Sequence, residues 1–253
     1  MRPRERQLQI IDLVRHHGKL GVDQLAARFA VSAETIRRDL TLLAADGKLR
    51  KVHGSAIPLR DFGEGAFAQR MQSNAEAKRM IASKARQLVA PGDTVFIDTG
   101  STTLAMAEML ATIDDLTVIT NSTEIARTIS TANSSTQMFL LGGAYNVDIR
   151  QTCGVIALNQ LGGFHASIAL LAVAALSGEA GIMDYSFDEA SIASAMIARA
   201  DRVVILTDAS KFDRVAPFVV ASFEQIDTLV CDETPVDLLA QRLKQAGVAV
   251  VQA

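Results

Sequence analysis

The chain has only two cysteines, Cys153 and Cys231, and neither has metal-ligand spacing around it. They are expected to be reduced, small apolar side chains, which sets aside a disulfide-stapled secreted domain. Four scattered histidines give no zinc pattern, so no metal and no cofactor is implied. Long apolar runs are also missing. The longest, Ile168 to Leu176, covers nine residues, far short of the roughly 20 that cross a bilayer. Asp12 and Arg15 interrupt the first apolar stretch, so no secretory leader is expected and the protein is expected in the cytoplasm. There is no internal repeat and no low-complexity tract.

What is present is distributed unevenly. Residues 1–60 carry 12 Lys/Arg against 6 Asp/Glu, while the rest carry 13 against 22, so the net charge of −3 conceals a basic head on an acidic body. A basic head is the part that would meet a phosphate backbone.

The head has a distinctive pattern. Arg4 to His16 shows Leu8, Ile11 and Val14 at helical spacing, and Gly18 ends that helix. Val22 to Phe29 reads as a short second helix with Leu25, Ala26 and Phe29 on one face. Ala30-Val31-Ser32 is a tight connection, and Ser32 is placed to cap a third helix. In that helix Ile36, Leu40 and Leu43 share one face, while Glu34, Arg37, Arg38 and Thr41 lie opposite. Asp46-Gly47 ends it, and the basic run Lys48-Leu49-Arg50-Lys51-Val52-His53-Gly54 reads as a short β-wing. An arginine pair alone fits any solvated helix face. Cap, spacing, arginine pair and basic wing together read as a winged helix-turn-helix, whose third helix enters the major groove. Ser32, Glu34, Thr35, Arg37, Arg38, Lys48, Arg50, Lys51 and His53 are its candidate DNA-contacting residues.

These residues, with others down the chain, resemble the DeoR family of bacterial transcriptional regulators. The resemblance is carried by Leu25-Ala26, Val31-Ser32, Thr35-Ile36-Arg37-Arg38-Asp39-Leu40, Leu43, Gly47, Arg50 and His53-Gly54. It continues through Arg70, Lys78, Asp98-Thr99-Gly100-Ser101-Thr102-Thr103, Thr120-Asn121-Ser122, Gly142-Gly143 and Asp208-Ala209-Ser210-Lys211-Phe212, so it covers nearly the whole length. The family usually has two glycines after the wing histidine; here the second is Ser55.

The head is expected to occupy residues 1–57 and a linker residues 58–74, because Ile57 to Asn74 holds Pro58, Gly63 and Gly65 without a sustained period. Residues 75–253 then alternate in type. A helix is expected over Ala75 to Val89. Strands are expected at Thr94–Ile97, Leu116–Thr120, Gln137–Leu141, Arg202–Thr207, Thr228–Cys231 and Val248–Val251, with Ser167–Leu176 as a buried strand or strand pair. Helices fall at about Thr102–Leu110, Ser122–Ser130, Glu189–Ala200 and Pro235–Ala246. Such alternation argues for an α/β fold with a parallel sheet covered on both faces. The resemblance implies a sheet domain similar to ribose-5-phosphate isomerase, used as a sensor.

Ligands of parallel sheets bind at the carboxyl ends of strands. Asp98 to Thr103 follows the first strand and opens a helix, Thr120-Asn121-Ser122 follows the second, Gly142-Gly143 ends the third, and Lys211 follows the strand ending at Thr207-Asp208. Each alone also fits a plain cap or turn; their common placement at strand ends favours a site. The resemblance implies a phosphorylated sugar or polyol, with Gly100, Ser101, Thr102, Thr103 and Lys211 around the phosphate and Asp98, Asn121 and Gly143 near the carbon skeleton. Arg150 is a further candidate phosphate partner. Residues 166–194 depart from the family pattern: Ser167, Leu170-Leu171-Ala172 and Ser194 stand where many members have an Asp, a Phe-Ile/Leu-Gly run and a Lys. Within the departure Asp184, Tyr185 and Glu189 are candidates to read hydroxyls, although Asp188 and Glu189 equally suit the first turn of a helix.

A sugar-phosphate isomerase or deaminase is the competing class, since Asp98, Asp184, Glu189 and Lys211 are acid–base types. The isomerases, however, carry an Asp-Gly-Ala-Asp-Glu run that this chain lacks; Leu176-Ser177-Gly178-Glu179 is its nearest stretch. An enzyme has no use for a basic winged head. A structural nucleoid protein would not need the pocket. The expectation is therefore a regulator, a repressor of a carbohydrate or polyol operon, binding operator DNA as a homo-oligomer and released by the phosphorylated effector.

Overall fold

The computed structural model describes residues 3–17, 20–45, 48–52, 54–57, 67–133 and 135–253. The chain divides into two compact units, Met1–Asp61 and Phe62–Ala253.

The first unit contains α1 (Pro3–His17), β1 (Leu20–Gly21), α2 (Val22–Phe29), α3 (Ala33–Ala45), β2 (Arg50–Val52) and β3 (Ser55–Ile57). The strands form an antiparallel sheet in the order β1-β3-β2, with Leu20 facing Ala56 and Arg50 facing Ile57. Helices and sheet close over Ile10, Val14, Val22, Leu25, Ile36, Leu40, Leu43, Leu49 and Ala56. α2 ends at Ala30 in a left-handed conformation (φ 52°), and its next amide returns to Ala26 O. Ser32 Oγ then accepts from Thr35 N at 3.2 Å, the expected cap of α3.

The buried stripe of α1 differs from the sequence reading. Leu8 is 59% exposed, and the buried positions are Arg6, Ile10 and Val14. The cause is a charge. Arg6 Nε donates to Asp39 Oδ2 at 2.7 Å and Gln7 Nε2 to Asp39 Oδ1 at 2.9 Å. This pair between α1 and α3 turns Arg6 inward and Leu8 out. Asp46-Gly47, read as the end of α3, and His53 of the wing lie outside the described residues.

The second unit opens with α4 (Phe67–Gln72), inside the stretch read as linker, whose part from 58 to 66 lies outside the described residues. Phe67 gives α4 its reason to fold, because the ring is buried in the core of this unit. Then come α5 (Ala75–Ala85), β4 (Thr94–Ile97), α6 (Ser101–Leu110), β5 (Thr117–Thr120), α7 (Thr123–Ala132), β6 (Gln137–Leu140), β7 (Ala144–Asn146), β8 (Gln151–Cys153) and α8 (Val155–Leu161). After these follow β9 (Ile168–Ala172), β10 (Ala175–Ser177), β11 (Gly181–Asp184), α9 (Phe187–Ile197), β12 (Val203–Thr207), β13 (Phe218–Ala221), β14 (Thr228–Cys231), α10 (Asp237–Gln245) and β15 (Ala249–Gln252).

Seven strands form one parallel sheet in the order β15-β14-β12-β9-β4-β5-β6. Alternate strand residues feed two cores. Val95, Ile97, Ile168, Leu170, Val204 and Leu206 face one, with α5, α6 and α7; Phe96, Ala169, Leu171, Val203 and Ile205 face the other, with α8, α9 and α10. That is why these strands read as unbroken apolar runs. Cys231 is buried in this way, and burial pushes its thiol up to about 11; Cys153 is only half-buried. The run from 167 to 176 breaks at Val173-Ala174: β9 joins the large sheet, while β10 pairs with β11, which also pairs with β13. That small sheet and the β7–β8 hairpin were not read from the sequence.

The Arg6–Asp39 pair yields a test of the head. Asp39→Ala should leave the Arg6 guanidinium buried without its carboxylate and cost about 3 kcal/mol. Urea unfolding followed by circular dichroism should show the helical head melting first. An unchanged transition would mean that the pair does not hold α1 to α3.

Candidate functional site

Two sites take shape, one in each unit. On the first unit, Glu34, Arg37 and Arg38 are exposed on α3, opposite the stripe that builds the core. Arg37 Nη1 meets Glu34 at 3.2 Å, one turn back. Such an exposed pair is worth only a few tenths of a kcal/mol, so Arg37 exchanges it readily for an outside anion. Ser32 Oγ and Thr35 Oγ1 lie 2.9 Å apart, so the two hydroxyls serve the cap first. From the wing, Lys48 and Lys51 are exposed, and Lys51 Nζ donates to Thr41 Oγ1 at 3.1 Å. Wing and third helix thus share one basic face. Arg50 is the first residue of β2; its side chain, like all of His53, lies outside the described set.

On the second unit, the strand order reverses between β4 and β9. From β4 the chain winds to β5 and β6, and from β9 to β12, β14 and β15. This is the switch point where ligands of open parallel sheets bind. A pocket of about 360 Å³, its open mouth included, lies there. Its walls include Thr99, Gly100, Ser101 and Thr102 after β4, Ala172 and Val173 at the end of β9, and Thr207 and Lys211 at and beyond the end of β12. Arg70 of α4, Lys78 of α5, Asp184 and Glu189 complete the lining. A smaller adjoining pocket shares Thr99, Asp184 and Glu189 and adds Asp98, Asn121 and Gln151. The first pocket therefore gathers three cations, two carboxylates and the N-terminus of α6, and the adjoining one carboxylates and amides.

The fold explains each placement. Gly100 is needed for close approach: a Cβ there would come within 2.8 Å of Ala172 Cβ. The loop after β4 can thus lie against β9 and turn its amides to the pocket. Asp98 accepts from Ala172 N at 3.1 Å. Burial raises its carboxyl well above the ordinary 3.8, and Glu189 and Asp184 push the same way; the Ala172 and Thr103 hydrogen bonds oppose this. Asn121 accepts from Thr99 Oγ1 and donates to Gln151 Oε1 and Thr152 O, which fixes its amide in the adjoining pocket. Asp208 is pushed up by burial, but Ser210, Lys211 and Asn74 outweigh this and hold it below its usual value. It remains an anion that anchors the Lys211 loop.

Several predicted residues stand elsewhere. Thr103 is fully buried and donates to Gly100 O, shaping the loop from behind. Gly143 lines neither pocket; its conformation (φ 142°), and the Cys153 carbonyl that a Cβ there would strike, tie the glycine to the β7–β8 hairpin. Arg150 pairs with Glu124 at 3.1 Å, outside both pockets. Tyr185 packs with Ala175, Met183 and Ala216.

Arg70, Lys78, Thr99 and Gln151 were not predicted as site residues. For Lys78 a signal existed. It falls with Ile81, Ala82 and Ala85 on the buried stripe of α5, where lysine is rare unless bound. Its ammonium donates to the carbonyls of Arg70 and Ser73. Among the described residues no group of three His, Cys, Asp or Glu side chains is placed to hold a metal ion, and no helix is long and apolar enough to cross a membrane.

The DeoR-like helix-turn-helix domain model matches residues 6–60, and the DeoR C terminal sensor domain model matches residues 73–233. The transcriptional regulator GolR of Listeria innocua is 30% identical over 99% of this chain and 98% of its own. GlpR of Haloferax volcanii is 31% identical over 99% and 98%. The glycerol-3-phosphate regulon repressor of Escherichia coli is 27% identical over 93% of each chain. Among solved structures, ribose 5-phosphate isomerase A of Methanocaldococcus jannaschii aligns over 55% of each chain, with 17% identity and a TM-score of 0.42.

The raised Asp98 carboxyl gives a pH test. The folded state binds that proton more tightly than the unfolded chain. The contribution of Asp98 to stability is therefore fully present below pH 3.8 and is lost as pH rises through the higher folded value. Asp98→Asn should keep the hydrogen bond from Ala172 and remove that loss. Urea titrations across pH should show the variant gaining on the parent as pH rises. A constant difference across pH would contradict the assignment.

Proposed function

The chain belongs to the DeoR family of transcriptional regulators, and from that membership we propose how its two units divide the work of a repressor. The first unit binds operator DNA. α3 enters the major groove, with Arg38 and Arg37 directed to base edges or phosphates. Lys48, Arg50 and Lys51 of the wing hold the flanking backbone, and Ser32, Glu34, Thr35 and His53 are further contacts of this DNA. Two copies of the chain, in a homodimer or a larger homo-oligomer, serve two half-sites.

The second unit senses a phosphorylated sugar or polyol, and its pocket is a binding site and not a catalytic one. The observation that carries this reading is the gathering of three cationic side chains, Arg70, Lys78 and Lys211, with the N-terminus of α6 in one pocket, which Asp184 and Glu189 also line. A helix N-terminus and converging cations suit a phosphate. In the adjoining pocket Asp98, Asn121 and Asp184 offer the acceptors and amide that hydroxyls need. The named targets of relatives, a glycerol-3-phosphate regulon among them, agree with a phosphorylated polyol or sugar as the signal. Binding is coupled to DNA release only in so far as the effector has unequal affinity for the two arrangements of the repressor.

Arg38→Ala should weaken operator binding by about 1–3 kcal/mol, the range of a lost bidentate base contact. The fold should survive, because the side chain is exposed. Fluorescence anisotropy on the promoter fragment checks this, and normal affinity in the folded variant would remove Arg38 from the contact. On the sensor side, calorimetry should rank sugar and polyol phosphates far above their unphosphorylated parents. Lys211→Ala should keep DNA affinity and lose the response to the phosphorylated compound. Equal binding of both forms would end the phosphate reading and leave the DNA-binding one standing.

A further inference from the structure

α4 is the first described element after the winged unit, and it supplies part of the pocket wall. A helix of six residues has little stability of its own, so its contacts decide whether it stays docked. Three contacts stand out. The Phe67 ring is buried in the core, and the Arg70 guanidinium lies 5.6 Å over it and lines the pocket. The Lys78 ammonium, in the same pocket, holds the carbonyls of Arg70 and Ser73. Asn74, left-handed at the corner (φ 52°), donates Nδ2 to Asp208 Oδ1 at 3.0 Å, and Asp208 anchors the Lys211 loop.

The cations of the pocket thus differ in what stands behind them. Lys211 follows β12, in the middle of the sheet. Arg70 is carried by a short helix, and Lys78 grips that helix at its carbonyl end.

We propose that Arg70 is an effector-contacting residue that places the α4–α5 corner under the control of the bound phosphate, so that occupancy of the pocket is felt in the first described element after the DNA-binding unit. This rests on the pocket being a phosphate site. Lys211 contributes affinity from a fixed platform. Arg70 contributes affinity and also holds α4, because its charge-assisted bonds to the anion must break before α4 can leave. At phosphate ten times its Kd, linkage slows the opening of a segment so held by about tenfold.

Hydrogen exchange read by mass spectrometry on the full chain tests this with inorganic phosphate as the probe and chloride matching ionic strength. Each variant is saturated at the same multiple of its own Kd. In the parent, phosphate should slow exchange at Gly100–Thr103 and, by about tenfold, in Phe67–Ser73. Arg70→Gln should bind phosphate more weakly, keep the slowing at Gly100–Thr103 once saturated, and lose it in Phe67–Ser73. Arg70→Lys should restore it. Thermal melting shows that each variant is folded.

Slowing at Gly100–Thr103 with none in Phe67–Ser73 of the parent would overturn the inference and keep the phosphate site. So would Arg70→Gln that still slows α4 at saturation. No slowing at Gly100–Thr103 in the parent would overturn the phosphate site itself, and the inference with it.

Discussion

The hydrogen bond from Ala172 N to the Asp98 carboxylate sits where the parallel sheet divides. β4 and β9 are adjacent, yet the chain leaves them in opposite directions along the sheet. Their ends diverge, and the loops that follow must be held together by something other than the strand ladder. Asp98 does this from one side. The absence of a side chain at Gly100 does it from the other, by letting the loop reach Ala172. The pocket is the space that this divergence leaves, and the same two residues fix its rim. A carboxylate in this place is costly to keep ionised, since burial and two neighbouring acids all raise its proton affinity. The fold tolerates that cost at the one position where the sheet needs an acceptor and a polar ligand needs a partner.

The mixed lining of the pocket follows from topology. Helix α6 starts directly after β4, so its N-terminal amides must face the carboxyl edge of the sheet. Lys211 reaches the same edge because β12 stops at Thr207 and the following turn is pinned by Asp208. The acidic lining has another origin. Asp184 closes β11, a strand of the small antiparallel sheet, and Glu189 stands in the first turn of α9. One part of the lining therefore belongs to the regular sheet, and the other to an addition to it. Ligand identity is set more easily in the addition, where residues change without disturbing the seven strands.

Legibility in the sequence divided along the same line. The large sheet was readable because strands buried on both faces are apolar at every position and helices between them are periodic. Its switch point could not be read, because strand order is a long-range property that β4 and β9 do not advertise. β10, β11 and β13 are short and lack a clean alternation; the apolar run through 176 left one strand or a strand pair open, and the break at Val173-Ala174 separates β9 from β10 in space. In the head, periodicity gave three helices but the wrong rotation for the first. Leu8 is more apolar than Arg6, yet Arg6 is inside. A buried ion pair with Asp39 can be found only when both helices are present, even though Asp39 stands within the most specific motif of the chain. Lys78 is the opposite case: a lysine on an otherwise apolar stripe was a visible sign of a bound ammonium.

Charge placement completes the division between the units. The head is basic and the remainder acidic, so on the proposed reading a phosphorylated effector is drawn in against the sign of the unit that binds it. At physiological ionic strength fields between exposed charges fade over about 8 Å, and the acidic exterior of the second unit matters little inside the pocket. What counts there is local. Lys78 is 6% exposed and Lys211 stands at the pocket wall, where screening is weak and the α6 amides add to their field. The same geometry keeps DNA out, because a pocket of about 360 Å³ excludes a duplex while the exposed face of α3 excludes nothing. On the proposed reading, one chain thus holds a polyanion with one unit and a small anion with the other.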